Sequence, residues 1–173
     1  MNTESKICEE LITHLSKCVL IDFDNIIVWE DASTLKETAL AFPITHSDAH
    51  LVFTIANDRN IFLATLTDGD IDDVVSILLD LNEADFKAEW GKAVTTSYES
   101  LNRKNIYGLF FSRVRYYELF HSIKDSFRFL GKEYTIKAVI FLSKKEIETY
   151  INSEDEFYEL IGEKDMVKFE QVK

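Results

Sequence analysis

LVFTIANDRNIFLATLT, residues 51–67, is the stretch whose reading decides the fold. Leu51, Phe53 and Ile55 alternate with Val52, Thr54 and Ala56; after Asn57-Asp58-Arg59-Asn60, Ile61, Leu63 and Thr65 alternate with Phe62, Ala64 and Leu66. A period of two on either side of a polar turn predicts a hairpin. Both faces are largely apolar, so the hairpin belongs at the centre of a sheet with helices on at least one side. DGDIDDVVSILLDL (68–81) follows directly and supplies such a helix, with Ile71, Val74, Val75, Leu78 and Leu81 on one stripe. Asp68, Asp70, Asp72 and Asp73 gather at its start, where carboxylates accept free N–H groups and suit the helix dipole.

Working outward, Ile7, Leu11, Ile12 and Leu15 predict an amphipathic helix over 4–17. Val19–Ile21 and Ile26–Trp29 read as short strands around a polar corner, Asp22–Asn25. Thr34-x-x-Glu37 is a capping-box pattern for a short helix, TLKETALAF, stopped by Pro43; HSDAH (46–50) reads as a loop. Residues 83–102 have weak helical periodicity through Phe86, Trp90, Val94 and Leu101, and IYGLFFSRV (106–114) reads as a strand. Tyr116, Phe120, Ile123, Phe127 and Leu130 predict a helix ended by Gly131. YTIKAVIFL (134–142) is a strand, and Ser143-x-x-Glu146 and Ser153-x-x-Glu156 each open a helix. MVKFEQV (166–172) alternates like an edge strand. The expected fold is α+β: a mixed, largely antiparallel sheet around the 51–67 hairpin, packed by several helices, in a single domain over 1–173.

The chain has 173 residues, thirteen Phe, seven Tyr, one Pro and five Gly, which suits a packed core and not a disordered segment. The polar start MNTESK shows no secretory signal, and no apolar run reaches the roughly 18 residues of a membrane span. Cys8 and Cys18 sit beside apolar residues and read as reduced thiols of a cytoplasmic protein. The net charge of −12 is uneven: residues 68–89 hold eight acids against one Lys, whereas 90–145 hold eleven Lys or Arg against four acids. So acidic a chain is a poor nucleic-acid binder and a good match for a basic protein. Arg113, Arg115, Tyr116, Tyr117, Lys124 and Arg128 mix cations with aromatics as single-strand binders do, but the aromatics belong to the expected helix stripe. Those cations then form a solvated face paired with acids of the same molecule.

The search for chemistry centres on two Asp-rich corners. VLIDFDNII (19–27) resembles the first motif of haloacid-dehalogenase-like phosphatases, a likeness that would make Asp22 a nucleophile and Asp24 an acid/base near Mg²⁺. It is also similar to the opening strand of NYN/PIN-type ribonucleases, with LATLTDGDIDDVV (63–75) supplying Asp68 and Asp70 as further ligands. A helix precedes the supposed first strand, and the later order does not continue as parallel βα units. A plain turn at 22–25 is the favoured reading, with the metal-dependent phosphatase or nuclease as the alternative. An EF-hand loop counted from Asp68 would need Gly at position 73 and Glu at 79, where Asp and Leu stand. His14, His46, His50 and His121 are scattered, and His46, Asp48 and His50 lie in a loop that orients no metal. No phosphate-binding glycine loop, CxxC or nucleophile elbow is present, and no cofactor is expected.

An acidic α+β chain of this size resembles, at the level of the class, bacterial immunity proteins of the contact-dependent growth inhibition type. IFLSKKEIETYINSEDEFYELIGE (140–163) is faintly similar to the closing segment of suppressor-of-fused-like domains, some of which serve as immunity proteins. The resemblance implies a non-catalytic protein whose acidic surface covers the substrate cleft of a basic toxin, such as a nuclease. The candidate partner-binding residues are Asp70, Asp72, Asp73, Asp80, Glu83 and Asp85 around the central helix, and Glu154, Asp155, Glu156 and Glu159 near the C-terminus.

Overall fold

The structure, a computed structural model, describes residues 3–30, 37–56, 60–83, 89–96, 99–113 and 122–162. The hairpin forms as expected: β3 (His50–Ala56) pairs antiparallel with β4 (Ile61–Thr67), Phe53 opposite Ala64. Around it, β1 (Ile27–Glu30), β2 (Glu37–Pro43), β5 (Lys92–Thr95), β6 (Gly108–Ser112), β7 (Ser126–Phe129) and β8 (Lys132–Leu142) complete one sheet in the order β1-β2-β3-β4-β8-β6-β5. Among these strands only β4 and β8 run parallel, and the fold is α+β with a mixed, mostly antiparallel open sheet. The short β7 pairs with the first part of β8, and β6 with the rest.

Strand alternation sorts the side chains into two layers. Ala39, Ala41, Val52, Leu63, Val139 and Phe141 face helix α2 (Ile71–Glu83), which buries Val74, Val75, Ile77, Leu78 and Leu81. Leu40, Phe42, Leu51, Phe53, Phe62 and Ile136 face the other way, against Ile7, Leu11 and Leu15 of α1 (Thr3–Leu15). Further along that second face, Phe110, Ile140 and Leu142 pack on α4 (Lys144–Asn152) and α5 (Glu154–Gly162) through Ile147, Phe157 and Ile161. The Ser143 capping box is complete: the Glu146 N–H donates to Ser143 Oγ at 3.3 Å, and the Ser143 N–H donates to Glu146 Oε1 at 2.9 Å. At Ser153 the forward half is present, the Glu156 N–H donating to its Oγ at 3.4 Å.

Four local expectations are corrected. ETALAFP is strand β2, not a helix; pairing with β1 on one side and β3 on the other outweighs a capping-box pattern whose Thr34 lies outside the described residues. Val19–Ile21 is not a strand: Val19 is exposed, and only Ile21 bridges, to Ile44. Within 83–102, β5 and the single turn α3 (Glu99–Asn102) replace the expected helix; Leu101 is buried, Val94 half-buried and Phe86 outside the description. Residues 126–129 form β7, not the end of a helix. Leu130 (φ 49°) and Gly131 (φ 77°) make a two-residue turn into β8, so Gly131 serves a hairpin where a helix stop was expected. Tyr116 and Phe120, like the expected 166–172 strand, lie outside the described residues.

Candidate functional site

The expected acidic surface divides in two. The candidates of α2 and those of α5 stand on opposite faces of the sheet, so no single docking surface contains both sets. On α2 the carboxylates are partly committed to the fold. Asp70 Oδ1 accepts the Asp73 N–H at 3.1 Å, capping the helix, and the Asp73 carboxylate meets Lys104 Nζ at 2.8 Å. Asp72 and Asp80 are exposed, and Asp72 also has an interaction within the chain. Glu83 is the last residue of α2, and Asp85 lies outside the described residues.

On α5, burial of Phe157 and Ile161 turns Glu154, Asp155, Glu156, Tyr158 and Glu159 outward. No ion pair is made by these four carboxylates among the described residues. The first three lie in the first turn, where the helix dipole favours them. Glu159 does not share that benefit: it stands one turn beyond Asp155 in a helix with no basic residue in its last turn. Like charges at that spacing destabilise a helix by roughly 0.2–0.5 kcal/mol. Helix stability therefore does not account for Glu159.

Two exposed apolar side chains lie near these carboxylates in the chain, one of them on the same helix. Ile151 is 65% exposed although it follows the buried Ile147 by one helical turn, and Tyr158 is 44% exposed. Tyr158 is held by its hydroxyl, which donates to the Gly91 carbonyl at 3.0 Å, and by ring contacts with Phe110 and Phe157. Partial burial, and then the charge of Glu154, hold its phenol above the ordinary value. A fixed aromatic and an aliphatic side chain beside unpaired carboxylates suit contact with a basic protein surface.

The Asp-rich corners do not assemble a metal centre. Asp22 caps a 3-10 turn, Phe23–Asn25; its Oδ1 accepts the Asp24 N–H at 3.0 Å and its Oδ2 accepts Asn25 Nδ2 at 2.8 Å. The Asn25 hydrogen bond, together with the backbone N–H bonds, keeps the carboxyl below its ordinary value. Asp22 bonds to Pro43, which pairs with His50, which pairs with Thr67. Asp68 is thus three strands away, roughly 14 Å at ordinary strand spacing. Ligands of one hard cation converge to within about 2.6 Å of it. His46, Asp48 and His50 do not group either: among the described residues, no three His, Cys, Asp or Glu could hold a metal ion.

Several cations of the middle segment have partners within the chain. Arg113 lies 4.6 Å from the Trp90 ring centre and donates to Asp125 Oδ2 at 3.0 Å, while Lys137 Nζ lies 5.4 Å from the same ring. Burial lowers the Lys137 ammonium from its ordinary value, and Glu89 opposes that shift. Arg103 pairs with Glu99. Lys124 and Arg128 are exposed, and Arg115, Tyr116 and Tyr117 lie outside the described residues. The two cations gathered on Trp90 were not legible in sequence, because residues 90, 113 and 137 meet only through the pairing of β5, β6 and β8.

The fold thus defines an α+β protein whose helices cover both faces of an open eight-stranded sheet. Compared with known protein families, curated proteins and solved structures, the chain matches none. No helix among the described residues is long and apolar enough to cross a membrane.

Proposed function

We propose that the chain is an immunity-type inhibitor of the bacterial cytoplasm that binds a basic toxin domain, such as a nuclease, and covers its cationic substrate cleft without catalysing a reaction. The observation that carries this reading is the row of exposed, unneutralised carboxylates on α5, Glu154, Asp155, Glu156 and Glu159, beside exposed Ile151 and Tyr158. The carboxylates steer the encounter, and the two larger side chains supply contact area once docked. The α2 carboxylates face away from this surface and contribute to the net negative field rather than to contact.

The reading requires a toxin gene beside the one for this chain, and the test is association kinetics with the toxin domain so found. Neutralising Glu154, Asp155, Glu156 and Glu159 together to their amides lowers the association rate roughly tenfold or more at low salt, and raising salt to about 0.5 M reproduces much of that loss. Neutralising Asp72, Asp73 and Asp80 has a far smaller effect. Equal loss from the α2 set would place docking on the opposite face, and rates insensitive to salt and to both sets would remove the reading.

A further inference from the structure

The turn between β7 and β8 holds a residue that neither conformation nor burial explains. Leu130 (φ 49°) and Gly131 (φ 77°) form this two-residue turn, in which both positions take positive φ. Asn or Gly ordinarily fills the first position, because a bulkier residue is strained there. Leu130 carries that strain and is 71% exposed, so packing within the chain does not offset it. Lys132 and Arg128 flank the turn; both are exposed and make no ion pair among the described residues. Glu133 stands opposite Arg128 in the strand register, which leaves Lys132 as the chief charge at the tip.

The same chain carries a matching surface. On α5, Glu154 and Asp155 stand one turn before Tyr158 on its side of the helix. Tyr158 is 44% exposed, and its hydroxyl bond to Gly91 fixes the ring. Tip and α5 lie at opposite ends of β8: Lys132 opens the strand, whereas Ile140 and Leu142 pack with Phe157 and Ile161 of α5. At about 3.3 Å per residue, Lys132 and Leu142 are roughly 33 Å apart, so the tip cannot meet its own α5. A bilayer fits the tip less well. One Leu falls short of anchoring, since even a myristoyl chain binds a membrane only marginally.

We infer that this hairpin tip docks on α5 of a second copy of the chain. Leu130 packs on the Tyr158 ring, and Lys132 faces Glu154 and Asp155. Each copy has a net charge of −12, but at about 0.15 M salt the screening length is roughly 8 Å, so the charges at the contact outweigh that repulsion. The contact uses the carboxylates of α5 as a surface and stands whether or not a toxin binds there. Where one does, the second copy competes with it.

The test is sedimentation velocity of the full chain at about 0.15 M salt, over roughly 0.01–1 mM protein. The wild-type sedimentation coefficient rises with concentration. Leu130→Asn suits the turn, so its urea midpoint is kept or raised while association weakens roughly tenfold or more. Glu154→Gln, Asp155→Asn and Glu159→Gln, made together, blunt the other half of the contact and weaken association by a similar factor. An equimolar mixture of these two variants forms a 1:1 pair, because each supplies the half that the other lacks. A wild-type chain monomeric up to about 1 mM, variants that associate as the wild type does, or a mixture that fails to pair would each overturn the inference. Retention of the wild type on phosphatidylglycerol vesicles, lost in Leu130→Asn and without self-association, would assign the tip to a membrane instead.

Discussion

Gly108→Ala tests how tightly α4, and with it the α5 surface, is seated on the sheet. A Cβ at position 108 would lie 2.8 Å from Ile147 Cδ1, 2.9 Å from its Cγ1 and 3.0 Å from its Cβ, against an ordinary contact of 3.4–4 Å. Ile147 is 5% exposed and packed with Phe110, Ile140, Leu142 and Phe157, so moving it disturbs a filled core. Either α4 lifts by a few tenths of an ångström or Ile147 leaves its place. Overpacking of this kind costs about 1–3 kcal/mol, from which the stiffer unfolded chain recovers roughly 0.4–1 kcal/mol. The expected net loss is about 1–2 kcal/mol. Ile147→Ala alone costs about 2–5 kcal/mol through the cavity it leaves, but it also removes Cδ1 and Cγ1, two of the three overlapping atoms. In the double variant the two changes therefore compensate, with a coupling of about 1 kcal/mol or more. Urea unfolding of the four proteins, followed by circular dichroism and by fluorescence of the two tryptophans, gives the cycle. Additivity within about 0.3 kcal/mol would refute the close approach of α4 to β6.

Three further outcomes follow from single contacts. Ser143→Ala removes the acceptor for the Glu146 N–H and lowers stability by about 1 kcal/mol in urea titration, whereas Ser143→Asp retains most of it. Thr54 is fully buried in β3 and its Oγ1 has no hydrogen-bond partner among the described residues, so Thr54→Val raises the urea midpoint, by about 1 kcal/mol in stability. Asn25→Ala removes the chief cause of the low Asp22 pKa, and carboxyl NMR then finds Asp22 titrating closer to 3.8. Because the folded value is the depressed one, its contribution to stability is present above pH 3.8 and disappears as pH falls through the folded pKa; Asn25→Ala makes the acid side of the profile shallower.

The sequence by itself determined the elements whose local pattern and tertiary role agree. Residues 51–54 and 61–66 are apolar almost throughout because both faces of the central hairpin are covered; Val74, Val75, Leu78 and Leu81 recur at helical spacing because α2 has one buried side; and Ser143 caps α4 through bonds that span three residues. Tertiary structure decided the elements where pairing partners override local preference. ETALAFP joins two strands and becomes one, and Leu130-Gly131 turns the chain because β7 has β8 to pair with. The candidate surface divided along the same line. That α5 is acidic could be read from residues 154–159, and the capping at Asp70 was foreseeable from a carboxylate before an apolar stripe. That β1 stands at an edge among the described residues, with Ile27 and Val28 exposed, follows from strand order, and that α2 and α5 lie on opposite faces follows from which strand residues each helix covers. Strand order is set by backbone hydrogen bonds between segments far apart in the chain, and a backbone amide is chemically alike in every residue except proline. Composition and periodicity can therefore mark a strand or a helix face, whereas which edge stays open is fixed only when all the strands have paired.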